Sequence, residues 1–68
     1  MASYIVIKNT VILSERGTKF LLEQGNIIVR TQIEPSFYTI EVGPGESFEI
    51  KSEVFDSLEY EGYLEYLD

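Results

Sequence analysis

The 68-residue chain carries 12 acidic and 5 basic residues, for a formal net charge of −7, and it contains no His, Cys or Trp. The absence of His and Cys excludes Ser-His and Cys-His nucleophilic sets, disulfides and thiolate zinc sites. A chain this short forms one small domain and buries only about 60% of its unfolded surface. We therefore expect a single domain over residues 1–68 that binds no cofactor and is not an enzyme.

The first residues do not have the pattern of a targeting segment. A basic region is missing there, and Lys8 and Asn9 interrupt the short apolar run at residues 4–7. Signal peptides and membrane spans need a longer apolar segment. We expect neither, and we predict a cytoplasmic location.

The charge is divided unequally between the two halves of the chain. Residues 1–34 hold four basic and three acidic residues, a net +1, whereas residues 35–68 hold one basic and nine acidic residues, a net −8. This asymmetry argues against a phosphate-binding surface in the second half, and the basic residues do not alternate with aromatics as nucleic-acid binding requires. Two interpretations stay open: a surface for a basic protein partner, or a solvated surface that keeps the domain soluble.

Residues 3–14 are rich in β-branched side chains and are predicted to be extended. Lys8-Asn9 marks either a bulge or a break into two strands. Both faces of this segment are apolar, so it either bends through the core or is covered on both sides. One face holds Ile5, Ile7, Val11 and Leu13, and the other holds Tyr4, Val6, Thr10 and Ile12.

Turn residues divide the segment that follows into short strands. We predict strands over 18–23, 27–33, 37–42 and 46–50, separated by turns or breaks at 14–17, 24–26, 34–36 and 43–45. Gln24-Gly25-Asn26 is predicted to be a tight hairpin connection, because Gly and Asn tolerate the left-handed backbone. Residues 27–33 alternate most clearly, which predicts one buried and one wetter face. The four Phe residues are assigned to the core.

The last segment predicts one helix and one strand. Ser52 is a candidate N-cap for a helix over 53–61, and Gly62 is a candidate left-handed C-cap before a strand over 63–67. Val54, Phe55 and Leu58 have the spacing of a buried helix face, with acidic residues on the outer side. The predicted fold is therefore mainly β: a small SH3-like or related antiparallel barrel with one short helix before the last strand.

Acidic and Tyr side chains crowd the helix and the last strand, and Tyr is favoured in protein interfaces. The candidate partner-binding residues are Glu53, Asp56, Glu59, Tyr60, Glu61, Tyr63, Glu65 and Tyr66. Period two sends Tyr63 and Tyr66 to opposite faces, so at least one of them packs inward. A Mg²⁺ site at Glu53, Asp56 and Glu59 is the less favoured alternative to a solvated helix face.

Pro44-Gly45-Glu46, Phe48-Glu49-Ile50, Glu53-Val54-Phe55, Leu58 and Gly62-Tyr63-Leu64-Glu65 follow one another in a strand, helix, Gly, strand order. In this order residues 43–68 resemble the ending of small tailed-phage accessory proteins. The resemblance implies a phage origin and a non-enzymatic role beside virion proteins. We expect a protein-binding domain that acts in an assembly or as a modulator of a partner protein. The assembly could consist of copies of this chain. Alternatives are an acidic inhibitor that imitates nucleic acid with its C-terminal half, and an enzyme that uses paired carboxylates.

Overall fold

A computed structural model describes residues 1–67, with all side chains in that range except those of Gln32 and Ile33. It contains seven strands and one helix in the order β1 (Ala2–Val6), β2 (Thr10–Leu13), β3 (Lys19–Leu22), β4 (Ile27–Glu34), β5 (Phe37–Gly43), β6 (Glu46–Lys51), α1 (Ser52–Tyr60) and β7 (Leu64–Tyr66). The mainly β class and the short helix before the last strand are therefore confirmed.

Two antiparallel sheets are formed. Strands β4, β5 and β6 make a meander, and β1 lies between β4 and β7, which gives a five-stranded sheet in the order β6-β5-β4-β1-β7. Among the described residues, 1–67, strands β2 and β3 pair only with each other. Within residues 1–67 the larger sheet does not close on itself, so the prediction of an SH3-like barrel is not confirmed.

The turn at Gln24-Gly25-Asn26 is present, but the predicted hairpin between its flanking strands is wrong. Gly25 has a φ of 92°, and the Asn26 side-chain oxygen accepts a hydrogen bond from the Glu23 N–H at 3.0 Å. The chain then leaves β3 and pairs with β1, where the Gly25 N–H donates to the Val6 carbonyl at 2.8 Å. Turn chemistry fixes the reversal of the chain, whereas the choice of pairing strand depends on distant residues.

Lys8 and Asn9 break the first extended segment into β1 and β2, as one of the two alternatives predicted. Tyr4, Val6 and Ile12 are buried on one face. On the other face Val11 and Leu13 are 58% and 59% exposed. The segment is apolar on both faces, but the described chain buries only one of them.

The core lies on the inner face of the larger sheet and is covered at its two ends by different elements. Helix α1 covers one end through Phe55, and the β2–β3 hairpin covers the other through Phe20, whose ring stacks on Phe48 at 4.2 Å. The buried apolar residues are Ala2, Tyr4, Val6, Ile12, Leu22, Ile28, Ile40, Phe48, Ile50, Phe55 and Leu64. Phe37 is only half-buried and lies outside this cluster, because it alternates with Tyr38 to the outer side of β5.

Both ends of α1 have identifiable causes. The predicted N-cap at Ser52 is wrong: Lys51 is the capping residue, with extended backbone, and Ser52 begins the helix while its hydroxyl donates to the Pro35 carbonyl at 3.2 Å. At the other end Gly62 has a φ of 86°, which confirms the left-handed stop. In the described part of the chain no helix is long and apolar enough to cross a membrane.

Candidate partner-binding surface

Helix α1 exposes a face that is acidic and ends in a Tyr. Phe55 is its buried residue, with no exposed surface. With 3.6 residues per turn, Glu53 and Tyr60 fall on the opposite side and Asp56 falls between that side and Phe55; all three are exposed, and the Asp56 carboxylate accepts a hydrogen bond from the Tyr38 hydroxyl at 3.4 Å. Tyr60 is 92% exposed, so nearly the whole ring is available for contact. We call Glu53, Asp56 and Tyr60 the acidic helix face.

The remaining predicted residues do not all share this face. Glu61 is exposed just after the helix. Glu65 lies opposite Ile5 in the β1–β7 ladder and is exposed on the outer side of the sheet. Tyr63 is half-buried against the core, with the Lys8 ammonium 5.4 Å from its ring centroid. The prediction that at least one of Tyr63 and Tyr66 packs inward is therefore confirmed.

Tyr66 is 55% exposed and lies at the rim of an open hollow of about 450 Å³. Its ring meets the ring of buried Tyr4 edge-on, with centroids 5.6 Å apart. The hollow is otherwise lined by Met1, Ala2 and Arg30. One edge of Tyr66 thus supports the core and the other is open to solvent.

Two positions in α1 differ from the prediction. Glu59 is half-buried rather than on the outer side, because it comes four residues after Phe55, about one helical turn, and therefore shares the Phe55 side, where it faces Tyr4. Val54 is 43% exposed rather than part of the buried face.

Burial raises the pKa of Tyr4. The Arg30 guanidinium opposes this increase, and the Glu59 and Asp56 carboxylates add to it.

Arg30 is the residue of this region that sequence reasoning missed. Its guanidinium lies 4.8 Å from the Tyr38 ring centroid, 5.5 Å from Tyr4 and 5.9 Å from Phe55. A guanidinium within about 6 Å of aromatic faces is stabilised by cation–π attraction. The available signal was the alternation of β4, which places Arg30 on the same side as buried Ile28.

A second group of carboxylates, outside the helix, surrounds an open hollow. The hollow has a volume of about 280 Å³ and is lined by Glu15, Glu34, Glu49 and Phe37. The three carboxylates are exposed. Among the side chains that the structure describes, no group of three or more acidic residues converges to hold a metal ion, Glu53, Asp56 and Glu59 included.

The chain matches no protein-family model, no curated protein and no solved structure. Its function is therefore inferred from the geometry of the surfaces described above.

Proposed function

We propose that the chain is a non-enzymatic protein-binding domain that acts in an assembly or as a modulator of a partner with a basic surface. The observation that carries this proposal is the near-complete exposure of Tyr60, 92%, beside exposed carboxylates on the acidic helix face. Tyr gives a large contact area with few rotatable bonds and is enriched at the energetic centres of interfaces.

The charge pattern of α1 supports a role outside the fold. Glu53 lies in the first turn, where the helix dipole favours an acidic residue. The last turn contains Glu59 and no basic residue, and Glu61 follows it. Acidic groups at the negative end of a helix cost up to about 1 kcal/mol each. Binding of a basic partner offsets this cost, because the partner's cations neutralise the same carboxylates.

The resemblance of residues 43–68 to small tailed-phage accessory proteins favours a phage origin and a place beside virion proteins, in the host cytoplasm or the virion. An SH3-like arrangement also belongs to this proposal. The backbone N–H of Glu15, at the tip of the β2–β3 hairpin, donates to the Glu49 carbonyl of β6 at 3.0 Å. This contact brings the hairpin against the free edge of the larger sheet, as partial closure of a barrel would.

A second candidate function is inhibition of a nucleic-acid-binding protein by imitation of nucleic acid. It is favoured by residues 52–67, which contain five acidic residues and no basic residue. Both functions need a basic partner, but they differ in what competes for it. Nucleic acid competes with an imitator for the same site on the partner, whereas a partner that does not bind nucleic acid at that site stays bound to the acidic helix face.

The test is affinity capture with the immobilised chain, with bound proteins identified by mass spectrometry and their affinities measured by calorimetry. A triple variant, E53Q/D56N/Y60S, removes the acidic helix face. The matched control, E15Q/E34Q, removes the same number of charges from exposed positions elsewhere. We expect the triple variant to lose the partner and the control to retain it. Equal binding by both variants would overturn the proposal.

A further inference from the structure

The β2–β3 hairpin exposes a row of aliphatic side chains on the side that faces away from the core. Val11, Leu13 and Leu21 are 58%, 59% and 60% exposed. Val11 and Leu21 are directly opposite each other in the β2–β3 ladder, and Leu13 is opposite Lys19. We call Val11, Leu13 and Leu21 the outer hairpin face.

This face is unusual for the solvent side of an antiparallel hairpin. Such strands normally alternate apolar residues inward with polar residues outward. In β2 the inward residue Ile12 is buried, and its two neighbours are aliphatic as well. The hairpin is held to the core by its inner face alone, through Ile12, Phe20 and Leu22, so the aliphatic side chains of the outer face have no partner among the described residues.

We propose that a second copy of this chain covers the outer hairpin face, in a two-fold symmetric dimer. This surface is distinct from the acidic helix face, so the inference does not depend on the proposed function. Residues 8–24 hold three basic and two acidic residues, a net charge of +1. The other residues together carry −8, which gives the total of −7. The hairpin is therefore the region where two acidic molecules meet with the least repulsion.

The charges around the hairpin are also self-complementary. Its tip carries Arg16 and Lys19, and its base carries Glu23. In a dimer whose two-fold axis runs across the strands of the outer hairpin face, the two hairpins pack antiparallel. The tip of each hairpin then contacts the base of the hairpin in the other copy. Arg16 and Lys19 of one copy then approach Glu23 of the other while the aliphatic side chains pack between them.

The size of the face sets the strength of the dimer. Stable interfaces bury about 800 Å² on each partner, and three partly exposed aliphatic side chains with their polar rim supply less than that. We therefore expect reversible dimerisation with a Kd in the range of about 10 μM to about 1 mM.

The test is sedimentation equilibrium of the intact chain from about 10 μM to about 1 mM, at near-physiological salt. The mass of 7.8 kDa should rise with concentration toward twice that value and should not exceed it. The variant V11T/L21S keeps strand-forming or small residues at exposed positions and should raise the Kd at least about tenfold. V54S is the matched control, because Val54 is 43% exposed on α1, away from the hairpin.

Circular dichroism of both variants establishes that they fold like the parent chain, so that a lost dimer is not a lost fold. A parent mass that stays at 7.8 kDa up to the highest concentration overturns the proposal. An equal increase of the dimer Kd in V54S and V11T/L21S also overturns the proposal. A mass that rises above that of two copies overturns it as well.

Discussion

Phe55 attaches α1, and with it the acidic helix face, to the sheet. It is fully buried, and its ring packs edge-on against Tyr4 at 5.0 Å and against Tyr38 at 5.6 Å. Truncation of a buried Phe to Ala costs about 3–5 kcal/mol. A domain of this length has a free energy of unfolding of only about 3–10 kcal/mol. We therefore expect F55A to remove about a third or more of the stability, and to unfold the chain if the parent lies at the low end.

Urea unfolding followed by circular dichroism measures this effect. With a slope of about 1 kcal/mol per M for a small domain, F55A should lower the midpoint by about 3 M or more. F55L keeps an apolar side chain in the site and loses the ring contacts, so we expect a cost of about 1–1.5 kcal/mol. V54A changes an exposed residue on the same helix and should stay within about 0.5 kcal/mol of the parent. If F55A and V54A differ by less than about 1 kcal/mol, Phe55 does not anchor the helix.

Three further outcomes are expected. In G62A no described atom lies within 4 Å of the added Cβ, so the cost comes from the φ of 86° alone and should be about 1–2 kcal/mol. Calorimetry should therefore show a lower Tm, by about 4–8 °C for each kcal/mol lost. The control G43A changes a position without a positive φ and should lose less stability. Because burial raises the pKa of Tyr4, the folded state favours the neutral phenol, so this contribution to stability is complete below about pH 10 and is lost as pH rises through the folded-state value. Ultraviolet titration of the parent and Y4F should therefore differ by one phenol that ionises above about pH 10, and a difference at or below that pH would contradict the assignment. R30M keeps the alkyl packing and loses the cation–π contacts with the three rings, so urea unfolding should show a loss of stability of about 1 kcal/mol. An unchanged midpoint would mean that the cation–π contacts do not stabilise the fold.

Turn positions were predictable from sequence because their cause is local. Gly17, Gly45 and Gly62 have φ values of 85°, 74° and 86°, and in each case the chain turns or the helix ends where the Gly stands. Glycine adopts these angles without the steric cost that a Cβ adds. Strand boundaries followed from the same turns.

Strand pairing and side-chain environment were less predictable because their causes lie far apart in the chain. The residues around Gly25 form the expected turn, yet β4 pairs with β1, which begins more than twenty residues earlier. For the candidate surface, exposed Tyr60 agrees with the helical spacing. Glu59 differs because Tyr4 approaches it across the core, and Arg30 was missed because its ring partners come from three separate elements.

The position of β1 between β4 and β7 determines the order in which the chain can assemble during translation. The β4–β6 meander can form as soon as residues 27–51 leave the ribosome. Strand β1 pairs on its second side only with residues 64–66, where Tyr4 meets Tyr66 across nearly the whole sequence. Until β7 is available, one edge of β1 carries unpaired backbone groups, which are a template for aggregation. The larger sheet is therefore completed only once β7 has been synthesised, and long-range pairing of this kind makes that step slow.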